Sequence, residues 1–127
     1  MPTKPKKILI IEDEKMIARA LELKLAHAGF EVKAVFNGEE GIDCIQKETY
    51  ALILLDLIMP KMDGFTVLQT LKDKHIETPV MVLSNLSQED YEKRARALGA
   101  ADFFIKSNTP VANIVQNVTK FLTHKKG

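Results

Sequence analysis

The stretch Ala51-Leu52-Ile53-Leu54-Leu55-Asp56 decides the fold: five apolar residues run without interruption into a carboxylate. A short continuous apolar run of this kind is expected of a strand covered on both faces, as in a parallel sheet. Working outward, similar runs occupy residues 8–11, 32–36, 80–83 and 101–105, each followed by a segment with helical spacing. The run at 32–36 is broken by Lys33, which predicts an outer strand.

The intervening segments carry helix punctuation. From Met16 to Ala28, the residues Ile17, Leu21, Leu25 and Ala28 share one helical face, and Gly29 is placed to stop the helix. Asn37 is placed to cap a second helix containing Ile42 and Ile45. Asp63-Gly64 opens a third, with Leu68 and Leu71 facing inward. Ser87-Gln88-Glu89-Asp90 reads as a capping-box variant for a fourth, which Gly99 closes. Thr109-Pro110 offers a cap and a first-position proline to a fifth helix carrying Val111, Ile114, Val115, Val118, Phe121 and Leu122. The alternation predicts (βα)5 in one domain spanning 1–127, an α/β doubly wound open parallel sheet with helices on both faces, and frayed tails at 1–6 and 124–127.

Composition narrows the function. Eighteen Lys+Arg against seventeen Asp+Glu leave a net charge of +1, without the basic excess expected of direct nucleic-acid binding. One cysteine, Cys44, excludes an intrachain disulfide and fits a reducing, cytoplasmic setting. No apolar stretch is long enough for a membrane span. His27, His75 and His124 fall near expected helix ends and read as surface residues rather than ligands, and Cys44 reads as a packed thiol. The lysines at 4, 6, 7, 120, 125 and 126 read as solvated termini.

Chemistry-bearing residues follow four of the five runs: Glu12-Asp13, Asp56, Ser84 and Lys106. In a parallel sheet these positions share the carboxyl edge, where α/β proteins bind ligands. Three carboxylates brought within about 4–6 Å repel strongly, so one must protonate or a cation must enter. Hard oxygen donors without thiolate or imidazole favour Mg²⁺, with Mn²⁺ possible. An ammonium and a hydroxyl beside that cation suit a transferring phosphoryl group, with Asp56, delivered to the middle of the sheet, as nucleophile. The plainer reading of Asp13 is a cap for the helix starting near Glu14.

These residues resemble the receiver domain of two-component response regulators, over essentially the whole chain. Asp56-Leu57-Ile58-Met59-Pro60-Lys61-Met62-Asp63-Gly64 resembles the family's phosphoacceptor segment, Glu12-Asp13 its acidic pair, and Ser84 and Lys106 its hydroxyl and lysine. The resemblance implies a flavodoxin-like sheet of strand order 2-1-3-4-5 and phosphoryl transfer from a sensor histidine kinase or phosphotransfer protein onto Asp56. It further implies Mg²⁺ held by Asp13, Asp56 and the backbone carbonyl of Ile58, with Glu12 acting through water. Ser84 would then move toward the phosphoryl group and Phe103 into the vacated space. That switch would act on a downstream protein or output domain through the fourth helix, fifth strand and fifth helix, or on a phosphorylation-linked homodimer.

The chain departs from the family at Ser107, where receivers carry proline in a cis bond; a trans turn is expected. Asn85 replaces a small residue and is expected to narrow the phosphoryl pocket. Receivers orient the hydrolytic water from positions occupied here by Ile58 and Leu86, both apolar, so self-dephosphorylation is expected to be slow and no separate substrate is turned over. The alternatives are a degenerate receiver serving as a phosphorylation-independent scaffold, a phosphatase of the haloacid dehalogenase type, and a flavodoxin-like cofactor carrier. Ile58 stands where the phosphatase needs a second acid, and a Gly-rich phosphate loop after the first run is missing. The chain reads either as a stand-alone receiver or as a domain excised from a longer regulator.

Overall fold

The computed structural model describes residues 5–59, 62–85 and 89–123. The elements alternate: β1 (Lys7–Ile11), α1 (Lys15–His27), β2 (Glu31–Val35), α2 (Gly38–Lys47), β3 (Leu52–Asp56), α3 (Gly64–Asp73), β4 (Val80–Ser84), α4 (Glu89–Ala97), β5 (Asp102–Ile105) and α5 (Val111–Thr123). A single 3₁₀ turn, Lys106–Asn108, links β5 to α5. The strands form one sheet in the order β2-β1-β3-β4-β5, and every pairing is parallel. This is the flavodoxin-like order, with Lys33 on an outer strand and Asp56 on the central one.

Strand periodicity divides the interior into two layers. Leu9, Ile11, Ile53, Leu55, Val80 and Val82 face one side and pack with Ile45 of α2, Phe65, Leu68 and Leu71 of α3, and Ala95 of α4. Ile8, Ile10, Leu52, Leu54, Met81 and Leu83 face the other and pack with Ala18, Leu21 and Leu25 of α1 and Ile114, Val118 and Leu122 of α5. Burying each such aliphatic side chain contributes about 1.5–3 kcal/mol, which explains why the three inner strands tolerate almost no polar residue before their last position.

The helix ends follow local chemistry. Asn37 accepts from the Glu40 N–H at 2.9 Å, and Asp63 accepts from the Thr66 N–H at 2.9 Å, as expected. Gly29 and Gly99 adopt φ of 103° and 105°, the left-handed geometry that ends α1 and α4. Ala28 is exposed just past α1 instead of sharing its buried face. The Pro110 carbonyl accepts from Ile114 N–H at 3.2 Å, so this proline is the cap residue of α5 and not its first helical residue. Residues 87 and 88 of the expected capping box lie outside the described residues, as does His124.

Of the tails expected to fray, residues 1–4 and 124–127 lie outside the described residues, while Lys6 is hydrogen-bonded. Its carbonyl accepts from Glu31 N–H at 3.0 Å, and its ammonium donates to the Leu122 carbonyl at 2.7 Å, near the end of α5. Lys7 likewise pairs with Glu48 at 3.2 Å rather than lying free in solvent. No described helix is long and apolar enough to cross a membrane.

Candidate functional site

The carboxyl edge of the sheet gathers the polar strand ends. Glu12 follows β1 and is fully buried, Asp56 closes β3 with 3% exposure, and Ser84 closes β4, also fully buried. One carboxylate oxygen from each of Glu12, Asp13 and Asp56 lies within 4.8 Å of the others. Lys106, directly after β5, brings its ammonium to 2.7 Å from Glu12 Oε1, 2.9 Å from Glu14 Oε1 and 3.3 Å from Asp56 Oδ2. Residues separated by up to 94 positions in the chain thus meet at one rim because parallel strands end together.

The electrostatics are unbalanced. Burial, followed by the neighbouring Glu12 charge, pushes the Asp56 carboxyl up to about 8, and Lys106 offsets this only in part. Burial also raises Glu12, against the pull of the Lys106 ammonium and the Glu14 N–H. Burial opposes the charge on Lys106, but Glu12, Glu14 and Asp56 together hold its pKa above the usual lysine value. Among the described residues, Lys106 is the ammonium that faces Glu12, Glu14 and Asp56, so ionising all of these acids together calls for added positive charge.

A divalent cation fits that charge. The donors are hard oxygens, no imidazole or thiolate belongs to the cluster, and Glu12 Oε1 is buried with no hydrogen-bond partner among the described residues. The Lys106 ammonium forms an ion pair with that oxygen at 2.7 Å, and a carboxylate oxygen has lone-pair capacity for a further electropositive partner. Such a buried lone pair suits a metal-bound water or the metal itself.

Two local devices shape the site. Glu12 Oε2 accepts the Glu14 N–H at 3.0 Å, so Glu12 rather than Asp13 serves the start of α1. The loop after β3 turns back so closely that a Cβ on Gly64 would stand 2.5 Å from the Asp56 carbonyl oxygen and 2.7 Å from Leu57 Cα. Gly64 N–H donates to the Leu57 carbonyl at 2.7 Å, closing that loop. Only glycine fits this approach.

The remaining expected residues lie on or just after β3, β4 and β5. Ser84 follows Leu83, the residue paired with Asp56 on the adjacent strand. Ile58 is 54% exposed, and its N–H lies 3.4 Å from Asp56 Oδ1. Phe103 is buried on β5, paired with Val82 of β4, in the layer under α3 and α4. Asn85 is exposed, while Leu86 lies outside the described residues. No cis peptide bond occurs among the described residues, so the turn from Lys106 to Ser107 is trans. Glu14 is the member that sequence reasoning missed. An acid beside a helix start is common, and nothing in its spacing signals a partner 92 residues away.

Comparison with known proteins places this geometry. The profile of the response regulator receiver domain matches residues 8–119. The cell cycle transcriptional regulator CtrA of Caulobacter vibrioides is 43% identical over 100 residues, covering 79% of this chain and 43% of that protein. The Francisella response regulator 1452 receiver domain superposes with a TM-score of 0.87 at 26% identity, covering 95% of this chain and 99% of the other. The phosphorylated cyanobacterial phytochrome response regulator RcpA gives 0.84 at 31% identity, covering 96% and 97%. The chain spans less than half the length of the curated relatives it matches. With its 2-1-3-4-5 sheet and a profile match running from β1 into α5, the chain belongs to the response regulator receiver domain family of two-component systems.

Proposed function

We propose that this domain accepts a phosphoryl group on Asp56 from the phosphohistidine of a sensor kinase or phosphotransfer protein. The observation that carries this reading is the meeting of Glu12, Asp13 and Asp56 within 4.8 Å, with the Lys106 ammonium 3.3 Å from Asp56. Glu12, Asp13, Asp56 and the Ile58 carbonyl would hold Mg²⁺ (or Mn²⁺), which when bound neutralises the carboxylates and the oxygens of the incoming phosphoryl group. An Asp56 carboxylate oxygen attacks phosphorus, and the P–N bond to the donor imidazole breaks. The bonding pair leaves on that nitrogen, and a mixed anhydride forms on Asp56. Lys106 and the Ser84 hydroxyl donate to oxygens of the transferred group.

The new charge then biases the packing around Ser84, and the outcome is read on the face built from α4, β5 and α5 by a downstream protein, an output domain or a second copy. Phe103 is buried on β5, within that face. Ile58 offers no hydrogen bond to an attacking water, and Leu86 is equally apolar, so the anhydride is long-lived. The domain acts as one unit in the cytoplasm and turns over no separate substrate.

Incubation with acetyl phosphate and Mg²⁺, followed by intact-mass measurement, tests this. One phosphoryl adduct that disappears in Asp56→Asn supports it. No adduct on the parent protein would favour a phosphorylation-independent scaffold, and sustained hydrolysis of bulk phosphate ester would favour a phosphatase.

A further inference from the structure

Glu14 is the N-cap residue of α1, yet its side chain makes no capping bond there. The Glu14 N–H is taken by Glu12 Oε2, and the Glu14 carboxylate turns away to accept from Lys106 Nζ at 2.9 Å. Of the carboxylates touching Lys106, Glu12 and Asp56 are buried with it, whereas Glu14 is half-exposed and closes the solvent side. The backbone beneath Lys106 holds it only lightly. It opens a three-residue 3₁₀ turn whose closing bond, Thr109 N–H to the Lys106 carbonyl, is 3.4 Å, and Ser107 and Asn108 are exposed.

From this geometry we infer that Glu14 is a positioning residue for Lys106, fixing the ammonium from the solvent side so that it stays directed at Asp56 during phosphoryl transfer. The inference rests on the reading of Asp56 as phosphoryl acceptor and adds a residue to it. A lysine side chain is long and flexible, and its ammonium donates in any direction. Contacts from Glu12 below and Glu14 above remove that freedom before the phosphoryl group arrives, so less ordering remains for the reacting complex. Because Glu14 spends no side-chain bond on its own helix, its removal leaves the α1 start unchanged and acts through Lys106.

The test uses the full chain, Glu14→Ala and Glu14→Gln, with acetyl phosphate as donor. Loss of one half-exposed charge-assisted hydrogen bond predicts a roughly three- to tenfold fall in the maximal phosphorylation rate of Glu14→Ala, with little change in half-saturating donor. Glu14→Gln retains an acceptor oxygen and recovers part of the rate. Calorimetric Mg²⁺ affinity and the melting temperature stay close to the parent values in both. Nitrogen-15 NMR of the lysine ammonium groups supplies an independent arm: Lys106 protons exchange slowly in the parent and fast in Glu14→Ala. Unchanged Lys106 exchange, or rates equal to the parent in both variants, would overturn the inference. A parent protein that takes up no phosphoryl group, but whose Lys106 still loosens in Glu14→Ala, would overturn the reading of Asp56 and support the positioning by Glu14.

Discussion

Lys106 Nζ lies closer to Glu12 Oε1, at 2.7 Å, than to Asp56 Oδ2, at 3.3 Å. The ammonium is therefore anchored first on the buried glutamate and only secondarily on the central aspartate. Asp56 receives a partial counter-charge, too little to offset its burial and the Glu12 charge, and its carboxyl stays near 8. The folded protein consequently stores a repulsion that a cation can relieve.

The sign of the resulting pH dependence follows. An unfolded Asp titrates near ~3.9. Between about pH 4 and pH 8 the metal-free folded state retains a proton that the unfolded chain has released, so stability falls as pH rises through this window. Asp56→Asn should flatten that slope and, with chelator at pH 8, exceed the parent by about 1 kcal/mol or more. Mg²⁺ should stabilise the parent more at pH 8 than at pH 5.5, since it binds the deprotonated cluster. Urea unfolding at both pH values, with chelator and with Mg²⁺, reads these differences. A parent curve independent of pH across the window would contradict the account of Asp56.

Gly64→Ala should damage the site without touching a reacting group. Its Cβ would meet the Asp56 carbonyl oxygen and Leu57 Cα, both backbone atoms that cannot rotate aside. The β3–α3 loop must shift, at about 1–3 kcal/mol of stability by analogy with overpacked cores. Asp56 moves with it, so phosphorylation by a small donor should slow as well. Equal stability and equal rate in the variant would show that the loop yields freely.

The layered fold was legible because its cause is local: uninterrupted runs such as residues 52–55 leave little choice but a doubly covered strand, and the common carboxyl edge then brings Asp56, Glu12, Asp13 and Lys106 together. Three features were not legible, each for a reason of side-chain reach. Glu12, not Asp13, takes the Glu14 N–H, a matter of which carboxylate folds back. Glu14 meets Lys106 only because both side chains cross the same rim, 92 residues apart. Lys6 docks on the end of α5, although a lysine near a terminus gives no sign of a partner.

His75→Gly should stabilise the protein. His75 follows α3 with φ of 58°, the one described non-glycine residue in the left-handed region. Its N–H donates to the Lys72 carbonyl at 3.1 Å and the Ile76 N–H to Leu71 at 2.9 Å, the pattern that usually ends on glycine. Relieving about 1–2 kcal/mol of backbone strain, against about 0.5–1 kcal/mol of added unfolded-state freedom, leaves a net gain of about 0.5–1 kcal/mol. Urea denaturation midpoints with unchanged slope would measure it, and a destabilised variant would mean that the His75 side chain makes compensating contacts.

Ile58→Asn should shorten the life of the phosphorylated state. Ile58 is more than half exposed beside Asp56, and its N–H lies within 3.4 Å of Asp56 Oδ1, so a side chain at this position borders the face from which water must approach the anhydride. An isoleucine there can exclude water but cannot orient it. An asparagine supplies a donor and an acceptor at the same distance from the backbone, and holding one water by a hydrogen bond contributes about 0.5–1.5 kcal/mol. If that contact is made in the transition state, hydrolysis accelerates roughly two- to tenfold. Loss of radiolabelled phosphoryl group from purified protein with Mg²⁺ measures both lifetimes. Because Ile58 is exposed, the substitution should leave the fold intact, and its stability should stay within about 0.5 kcal/mol of the parent. A parent that loses its label within seconds, or an Ile58→Asn variant no faster than the parent, would assign the control of hydrolysis to another part of the rim.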